Sequence, residues 1–321
     1  MKEKQGATEM KILTVSSANM DFVMQTEKMP ASGETYISAG GYHYVPGGKG
    51  ANSALAFARL GADSVFCSAV GTDANGDALI ELYKKEGIDV SFIRRLDDTP
   101  TGLAAIILEK ESAANRIIVF PAANRKITEE QVSAALDKCP DAVFLQFEIN
   151  SEMTLYTALK AAERGIPVFM DAGPADPSFP YESLRNVTLF SPNETECEIL
   201  TGISPDDTAS CIKAAEKLKA MTNAEIIVIK LGGRGCFVYA DGSAQEIPSY
   251  PIEKVDTTAA GDAFTAGLTL EYLRSKDIFR AARYANAVGA LTVSRLGASS
   301  SLPTSEEVEA FISERGININ G

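Results

Sequence analysis

Histidine and cysteine, the residues from which most zinc sites are built, are scarce in this chain. The 321 residues include a single histidine, His43, and five widely spaced cysteines, none of which forms a C-x-x-C pair. This pattern excludes a zinc site built on Cys/His spacing. An odd number of scattered thiols also argues against a disulfide framework, so we expect a reducing, cytoplasmic setting.

Long apolar runs and an excess of positive charge are missing as well. No run of 18 apolar residues is present, so we expect no membrane-spanning helix, and the first ten residues lead into no apolar segment of signal-peptide type. The net charge is −13 at pH 7. An acidic surface argues against general binding to nucleic acid or to an anionic membrane, although a locally positive site for a small anion is compatible with it.

Short apolar runs alternate with amphipathic segments through most of the chain. The runs predicted as buried strands are 11–18, 63–71, 142–148, 167–173, 187–193 and 225–233, and helices are predicted at 50–62, 151–165 and 208–222. Continuous apolar strands that alternate with helices indicate a mostly parallel sheet covered on both faces, which is a three-layer α/β/α fold. Ligands of such sheets usually bind beyond the carboxyl ends of the strands.

Two segments interrupt this alternation. Residues 22–46 contain no good helix, and residues 99–120 resemble two strands joined by a polar turn. We predict that the two excursions form a small β-sheet lid on a single domain of residues 1–321. Because such a lid would leave apolar surface or strand edges free, pairing of two lids in a homodimer is the hypothesis.

The segment DTTAAGDAF (256–264) is the first motif that points to chemistry. Helical spacing of apolar residues predicts a helix that begins near Ala260 or Gly261. Its first turn has unpaired N–H groups, and the small residues let a phosphate approach them. Asp262 would lie beside that anion, where a base of phosphoryl transfer takes a proton from the attacking hydroxyl. For an isolated Gly-Asp pair, the commoner explanation is an acid that favours the helix dipole.

Two further motifs predict contacts to a small polar ligand. The segment PGGKGANSALAFARLGA (46–62) matches neither G-x-x-x-x-G-K-[ST] nor G-x-G-x-x-G. Its glycines 47, 48 and 50 free the backbone to approach a ligand, and Asn52 offers hydrogen bonds at the start of a helix. In SSANMD (16–21), Asn19 and Asp21 stand at alternate positions where a parallel strand is predicted to end, and this pair suits a polyol. A helix-capping turn and an ordinary polar loop are the alternatives.

The remaining two motifs are compatible with a nucleotide. In SPNETECEILTG (191–202), Asn193 and Glu196 face one way on a starting helix, and the glutamate could act on Mg²⁺ through water. The LGGRG loop in IKLGGRGCFVY (229–239) could bind phosphates or adenosine through backbone amides and Arg234. The alternatives are an N-capped helix and a glycine-rich hairpin turn.

Together and in this order, the five motifs resemble the ribokinase family of ATP-dependent sugar kinases. The resemblance runs from about residue 11 to residue 312, and its most specific pieces are GGKGAN (47–52) and DTTAAGDAF (256–264). It implies a ribokinase-like fold and transfer of the γ-phosphoryl group of ATP to a primary hydroxyl of a pentose, with D-ribose as the first candidate.

The resemblance also implies a role for individual residues. Asp262 matches the catalytic base, and the backbone amides of Ala259, Ala260 and Gly261 match the anion hole. The sugar-binding positions are Asn19, Asp21, Gly48, Lys49, Asn52 and Glu148, with Glu148 at the end of a predicted strand. The ATP-binding positions are Asn193, Lys230, Gly232, Gly233, Arg234, Gly235, Gly261 and Asn286. Glu196 matches a Mg²⁺-associated position, and a monovalent-cation site, normally for K⁺, would use the side chains of Asp256 and Ser301 and the carbonyls of Thr258, Thr292, Arg295 and Gly297.

The sequence departs from the family pattern in four places. Asn286 stands where a histidine often faces the adenine, Lys230 replaces a small hydroxyl residue, and Thr258 replaces an aliphatic one. The segment FPAANRKIT (120–128) is a loose version of the family's loop and could bear on sugar choice.

The sequence is compatible with several functions. Within the family, the acceptor could be 2-deoxyribose, a ketohexose or a nucleoside. A non-catalytic sugar or nucleotide sensor is the alternative of another class, although it would have no need of Asp262. A nicotinamide-dependent oxidoreductase is disfavoured, since no dinucleotide fingerprint follows the first strand.

Overall fold

A computed structural model describes residues 9–112 and 115–320 of the chain. Most of the N-terminal stretch considered above, and residues 113 and 114 of the second excursion, lie outside the described residues. The strands are β1 (Lys11–Val15), β2 (Asn19–Thr26), β3 (Tyr42–Gly47), β4 (Asp63–Gly71), β5 (Asp89–Leu96), β6 (Gly102–Glu109), β7 (Asn115–Phe120), β8 (Ala142–Leu145), β9 (Val168–Asp171), β10 (Val187–Ser191), β11 (Ile226–Lys230), β12 (Cys236–Ala240) and β13 (Ser243–Ile247). The α-helices are α1 (Lys49–Arg59), α2 (Ala74–Lys85), α3 (Glu129–Leu136), α4 (Ser151–Glu163), α5 (Glu194–Thr201), α6 (Thr208–Thr222), α7 (Ala260–Ser275), α8 (Ile278–Val293) and α9 (Ser305–Glu314).

The larger sheet has nine strands in the order β13-β12-β11-β10-β9-β8-β1-β4-β5. All of its neighbouring strands pair in parallel except at β12, which runs antiparallel to both β11 and β13. The carboxyl ends of the parallel strands therefore meet at one edge of the sheet, where ligands of open α/β sheets bind.

Successive residues of the buried strands belong to two different hydrophobic cores. Along β1, Ile12 packs with one core and Leu13 with the other. The first core contains residues of α1, α2, α7, α8 and α9, and the second contains residues of α3 to α6. Since side chains alternate across a strand, this division places helices on both faces of the sheet. The predicted three-layer fold with a mostly parallel sheet is confirmed.

The smaller sheet has four strands in the order β3-β2-β6-β7. It takes β2 and β3 from the first excursion and β6 and β7 from the second, and its first strand begins at Asn19 rather than in residues 22–46. Asn19 and Asp21 therefore lie on this sheet and not at the end of a parallel strand, since β1 ends at Val15. Their alternate spacing gives them a common face of β2.

Several predicted strands extend too far at their carboxyl ends. The run 142–148 forms a strand only over Ala142–Leu145, so Glu148 lies three residues beyond β8 and does not end it. In these predicted strands, polar residues and glycines follow the apolar part. They form the loops that carry the site. The helix predicted at 208–222 matches α6 residue for residue.

Candidate active site

The loops at the carboxyl edge of the large sheet bring together side chains that are far apart in the sequence. Glu148 follows β8, Asp171 ends β9, Asn193 follows β10 and Lys230 ends β11. The N-termini of α1 and α7 point to the same edge, since Lys49 and Asp262 of their first turns lie 3.9 Å apart between Nζ and Oδ1. Residues predicted to bind the sugar and residues predicted to bind the nucleotide thus meet at one edge of the sheet.

Asp262 lies in the first turn of α7 and is only 5% exposed. Its Oδ2 accepts a hydrogen bond from Asn52 Nδ2 at 2.9 Å, and the Lys49 ammonium faces its Oδ1. Burial raises the pKa of this carboxyl to about 6, against the opposing effect of Lys49. A carboxylate with a pKa close to the working pH is suited to accept and release a proton.

The backbone at the start of α7 offers unpaired donors. Ala259, the N-cap residue, has a left-handed conformation with φ of 61°, and no side chain caps the helix. The N–H of Ala260 donates to the Thr257 carbonyl at 3.3 Å. Within the described part of the chain, the N–H groups of Ala259, Gly261 and Asp262 have no acceptor. Two of the three predicted anion-hole amides are therefore free, and Asp262 adds a third donor that the sequence did not indicate.

A buried ion pair lies beneath this helix terminus. The Lys230 ammonium contacts the Asp171 carboxylate, which also accepts from the Thr265 hydroxyl. Lys230 Nζ lies 3.8 Å from the position that a Cβ on Gly261 would take. The Lys230 ammonium therefore lies next to the predicted anion hole. Asp171 and Thr265 were missed in the sequence, although an acid near the carboxyl end of the predicted strand 167–173 was a usable signal.

Two carboxylates, those of Asp21 and Glu148, interact electrostatically at the predicted sugar site. Glu148 Oε2 accepts from the Ser17 hydroxyl and from the Lys49 N–H, the latter at 2.9 Å. Burial, with a further effect of Glu148, raises the pKa of Asp21 to about 7. Gly47 packs directly on Asp21, because a Cβ there would lie 2.1 Å from Asp21 Oδ2. The close approach that was predicted for a ligand at this glycine is made by the chain itself.

Asn52 and Lys49 connect the two halves of the site. Asn52 donates to Asp262, and its buried Oδ1 has no hydrogen-bond partner among the described residues. Lys49 bonds Glu148 through its backbone and faces Asp262 through its ammonium, and these neighbours raise the pKa of that ammonium, Asp262 most. Gly48 precedes them with φ of 92°, a conformation that favours glycine.

Two cavities open at the site. One of about 600 Å³ is lined by Lys49, Asp262, Gly261, Lys230, Asn193 and Glu196, among others. A second of about 660 Å³ is lined by Asn19, Asn124, Arg125, Phe147, Glu148 and Asn150, among others. Most residues predicted for the nucleotide line the first cavity, together with Lys49 and Asp262. Asn19 and Glu148 of the predicted sugar set line the second.

Arg234 does not take the predicted position in the nucleotide loop. Gly232, Gly233 and Gly235 line the first cavity, but Arg234 does not. Its guanidinium pairs with Glu246 and donates to the carbonyls of residues 205 and 206. Arg234 therefore holds the loop to neighbouring segments of the same chain and does not face the cavity.

Asn286 lines the first cavity and is buried. Its Nδ2 donates to the carbonyls of Ile247 and Pro248 at 3.1 and 3.0 Å. The side chain is thus held by the backbone in the position where a histidine often stands in the family.

Asn193 and Glu196 form a reciprocal capping box on α5. The Asn193 side chain accepts from the Glu196 N–H, and Glu196 Oε2 accepts from the Asn193 N–H, both at 2.8 Å. Both residues also line the first cavity. Glu196 caps the helix through Oε2, so its Oε1 takes no part in the capping bonds. Asn193 and Glu196 can therefore cap α5 and also contact a ligand in the cavity.

Three of the residues predicted to hold a monovalent cation, Asp256, Thr258 and Gly297, are joined by hydrogen bonds before the start of α7. Asp256 accepts from the N–H and hydroxyl of Thr258 through Oδ1 and from the Gly297 N–H through Oδ2. Burial raises the pKa of Asp256, but these hydrogen bonds outweigh it and the pKa is lowered. The segments 256–258 and 292–301 are also joined through the Val293 carbonyl, which accepts from the N–H groups of residues 255 and 256. Arg295 directs its guanidinium to Glu307, so only its carbonyl could take part.

Among residues 9–112 and 115–320, no group of three or more His, Cys, Asp or Glu side chains is arranged to hold a metal ion. None of the helices in that part of the chain is long and apolar enough to cross a membrane.

Comparison with known proteins agrees with this geometry. Residues 9–305 match the model of the pfkB family carbohydrate kinases. A ribokinase of Haemophilus influenzae is 35% identical over 305 residues, which cover 94% of this chain and 98% of that protein. A deoxyribokinase of Salmonella typhi is 31% identical over 308 residues, covering 95% of this chain and 99% of the relative. The structure of Arabidopsis thaliana ribokinase complexed with ribose and ATP superposes with a TM-score of 0.88 at 28% identity, covering 95% and 99% of the two chains.

The fold and these relatives define a phosphotransferase that acts on a sugar hydroxyl. The chain belongs to the pfkB family of carbohydrate kinases and is a sugar kinase of the ribokinase type. The predictions of a ribokinase-like fold and of a phosphotransferase are confirmed, whereas the predicted roles of the individual residues stay predictions.

Proposed function

We propose that the protein transfers the γ-phosphoryl group of ATP to the primary hydroxyl of D-ribose, with Asp262 as the general base. One observation carries the proposal: the buried Asp262 carboxyl stands in the first turn of α7, next to unpaired backbone N–H groups and beside the Lys49 ammonium. An acceptor hydroxyl, a proton acceptor and donors for a phosphoryl group can meet at this point.

Ribose is the acceptor that the relatives favour, since both a ribokinase at 35% identity and a structure with ribose and ATP are similar to this chain. The polar side chains of the proposed sugar site suit a polyol, because carboxylates accept from hydroxyls and amides both donate and accept. The proposed contacts are Asn19, Asp21, Gly48, Lys49, Asn52 and Glu148. A sugar hydroxyl near Asn52 could also supply the donor that its buried Oδ1 lacks.

ATP would occupy the cavity of about 600 Å³ on the other side of Asp262. The backbone of Gly232, Gly233 and Gly235 and the side chain of Asn193 would contact the nucleotide. Mg²⁺ keeps most of its waters and needs few protein ligands, so the single free oxygen of Glu196 fits a water-mediated contact. When bound, Mg²⁺ would neutralise part of the phosphate charge.

In the proposed reaction, Asp262 accepts the proton of the primary hydroxyl as the sugar oxygen attacks the γ-phosphorus and the bond to the ADP oxygen breaks. The unpaired N–H groups at the start of α7 donate to the transferring group, and the Lys49 ammonium offsets its negative charge. Asn52 donates to Asp262 Oδ2, whereas Oδ1 faces the Lys49 ammonium. Since Oδ1 accepts no hydrogen bond from Asn52, it is the oxygen proposed to accept the proton of the sugar.

A monovalent cation, normally K⁺ in the family, would bind beside this site. One carboxylate with several carbonyl and hydroxyl oxygens is a suitable donor set, and Asp256, Thr258 and Gly297 already lie together. The cation would stabilise the loop that leads into Ala259 and the free N–H groups, without contact to the substrate.

The small sheet is proposed to act as a lid and as the contact between two subunits. Closure would exclude water, so that the sugar receives the phosphoryl group. Tyr42 and Tyr44 of β3 and Ile117 to Phe120 of β7 are exposed. Apolar surface of this kind on the two edge strands favours pairing with a second lid.

The test is an assay of ADP release with ribose, 2-deoxyribose, fructose and adenosine as acceptors, each with and without KCl. We expect the highest kcat/KM with ribose and an increase with K⁺. 2-Deoxyribose is the second candidate because of the deoxyribokinase relative. A kcat/KM at least tenfold higher for any other acceptor would contradict the ribose assignment.

A further inference from the structure

An amide–amide hydrogen bond fixes the orientation of Asn19 at the sugar cavity. Asn124 is 1% exposed and lies in the 3-10 turn Ala122–Lys126 that follows β7. Its Oδ1 accepts from the Ala18 N–H at 2.9 Å. Since a backbone N–H can only donate, this bond determines which end of the Asn124 amide is oxygen. The other end is therefore Nδ2, and it donates to Asn19 Oδ1 at 2.7 Å.

The consequence concerns the free end of Asn19. With Oδ1 engaged by Asn124, its Nδ2 is the group left over, and no acceptor for it exists among the described residues. Asn19 and Glu148 line the same cavity of about 660 Å³. The carboxylates of Asp21 and Glu148, when ionised, only accept hydrogen bonds. Asn19 Nδ2 is thus an unengaged donor at a cavity that the acceptor carboxylate of Glu148 also lines.

The surrounding chain is shaped to allow this amide pair. Gly102, the first residue of β6, pairs with Asn19 of β2. A Cβ on Gly102 would lie 2.3 Å from both Asn124 Nδ2 and Asn19 Oδ1, which leaves no room for any other residue without a shift. The pair therefore lies where β2 and β6 of the small sheet join the core, and both excursions contribute to it.

We propose that Asn124 is a positioning residue of the acceptor site, which holds the Asn19 amide so that it donates to an oxygen of the sugar. The inference rests on the proposed function, since it assigns a role inside the proposed sugar site. It also specifies the acceptor: a polyol in which one hydroxyl oxygen accepts from Asn19 while neighbouring hydroxyls donate to the carboxylates. The sequence 120–128, which was expected to bear on sugar choice, contributes through this residue.

The test is a double-mutant cycle of Asn124→Asp and Asn19→Ala. An aspartate at 124 still accepts from Ala18 but has no N–H for Asn19, so the Asn19 amide must turn over and present its oxygen to the sugar. Ribose binding is measured by calorimetry without nucleotide, and KM is measured for ribose and for ATP. We expect Asn124→Asp to raise the Kd and the KM for ribose roughly tenfold, as for loss of one hydrogen bond, and to change the KM for ATP by less than about twofold.

The double variant separates positioning from a structural role. If Asn124 acts through Asn19, the double variant binds ribose about as weakly as Asn19→Ala alone. Effects that multiply, or a wild-type ribose Kd in Asn124→Asp, would overturn the inference. Asn75→Asp makes the same amide-to-carboxylate change on α2, away from the cavity, and should leave ribose binding unchanged.

If Asn124→Asp does not fold, Gly102→Ala serves instead, because its Cβ pushes the two amides apart, and it should weaken ribose binding with little effect on the KM for ATP. If the wild-type protein neither binds nor phosphorylates ribose, the proposed acceptor is wrong, and the same cycle is run with the sugar that the acceptor panel identifies.

Discussion

At the scale of the residue, the Asp262 carboxyl is under two opposing influences. Burial disfavours its charged form and raises its pKa, whereas the Lys49 ammonium at 3.9 Å favours that form. The result is a pKa of about 6, above the ordinary value for aspartate. A second aspartate, Asp21, has a pKa raised to about 7 by burial and by Glu148. Both groups therefore titrate near neutral pH, where neither would titrate in water.

These two pKa values predict the pH profile of the wild-type enzyme. Because both carboxyls are proposed to act as carboxylates, kcat/KM for ribose should rise with pH and level off above about pH 7 to 8. Well below pH 6, where both groups are protonated in the free enzyme, the slope of log kcat/KM against pH should approach two. Asp21→Asn should lower the plateau and leave a single limb near pH 6. A profile that is flat between pH 5 and 8 would contradict the assignment.

The buried pair of Lys230 and Asp171 gives a prediction about stability. Lys230→Met leaves a buried carboxylate without its partner and should lower the free energy of unfolding by about 3–5 kcal/mol. The double variant Lys230→Met, Asp171→Asn removes both charges and should recover most of that loss. Urea unfolding provides the measurement, and Lys160→Met, which breaks the exposed pair with Glu163, is the matched control with a much smaller effect. An additive double variant would show that the two side chains do not act as a pair.

At the scale of the element, the loop into α7 is held by the segment after α8. Asp256 bonds Thr258 on one side and Gly297 on the other, and Thr258 leads directly into the left-handed Ala259 at the start of the helix. A non-glycine residue in that conformation is strained and needs support from its surroundings. The conformation of the free N–H groups therefore depends on contacts outside the helix.

Asp256→Ala should uncouple this loop and remove the response to K⁺. In the wild-type enzyme we expect kcat to increase severalfold when LiCl is replaced by KCl at equal ionic strength. In Asp256→Ala, kcat should be low in both salts, while ribose binding, which does not involve the loop, stays close to wild type. A variant with undiminished stimulation by K⁺ would place the cation elsewhere.

Element positions were largely predictable from the sequence, but the contacts between elements were not. Apolar runs and helical periodicity are local patterns, so α6 and β4 agree with prediction at both ends. The position of Asp171 beneath α7 and that of Asn124 against Asn19 depend on strand order and on the course of the excursions, which no local pattern encodes. Arg234 shows the converse, since a basic residue in a glycine-rich loop suggested a phosphate contact and instead pairs with Glu246.

At the scale of the whole molecule, the small sheet leaves an apolar surface on an otherwise acidic protein. Every residue of β7 is exposed, and Ile117 is 54% exposed. We expect this surface to be buried between two subunits, so that closure of each lid is linked to its partner.

Ile117→Asp should therefore convert a dimer into a monomer, because a charge would be buried in an apolar contact without a partner. Sedimentation velocity at micromolar concentration gives the oligomeric state. Ile199 on α5, outside the lid, is 51% exposed, so Ile199→Asp is a control of nearly equal exposure and should remain dimeric. A wild-type protein that sediments as a monomer over the whole concentration range would contradict the proposed contact.

The central claim is that the Asp262 carboxylate accepts the proton of the sugar hydroxyl, and Asp262→Asn tests it most directly. Calorimetry gives the ribose Kd of this variant, and ADP release at saturating ribose and ATP gives its kcat. The account predicts a ribose Kd within about threefold of the wild type, since the amide can still bond a hydroxyl, and a kcat lower by on the order of 10²–10⁴. A kcat within tenfold of the wild type, in a variant that binds both substrates, would contradict the role of Asp262 as the base.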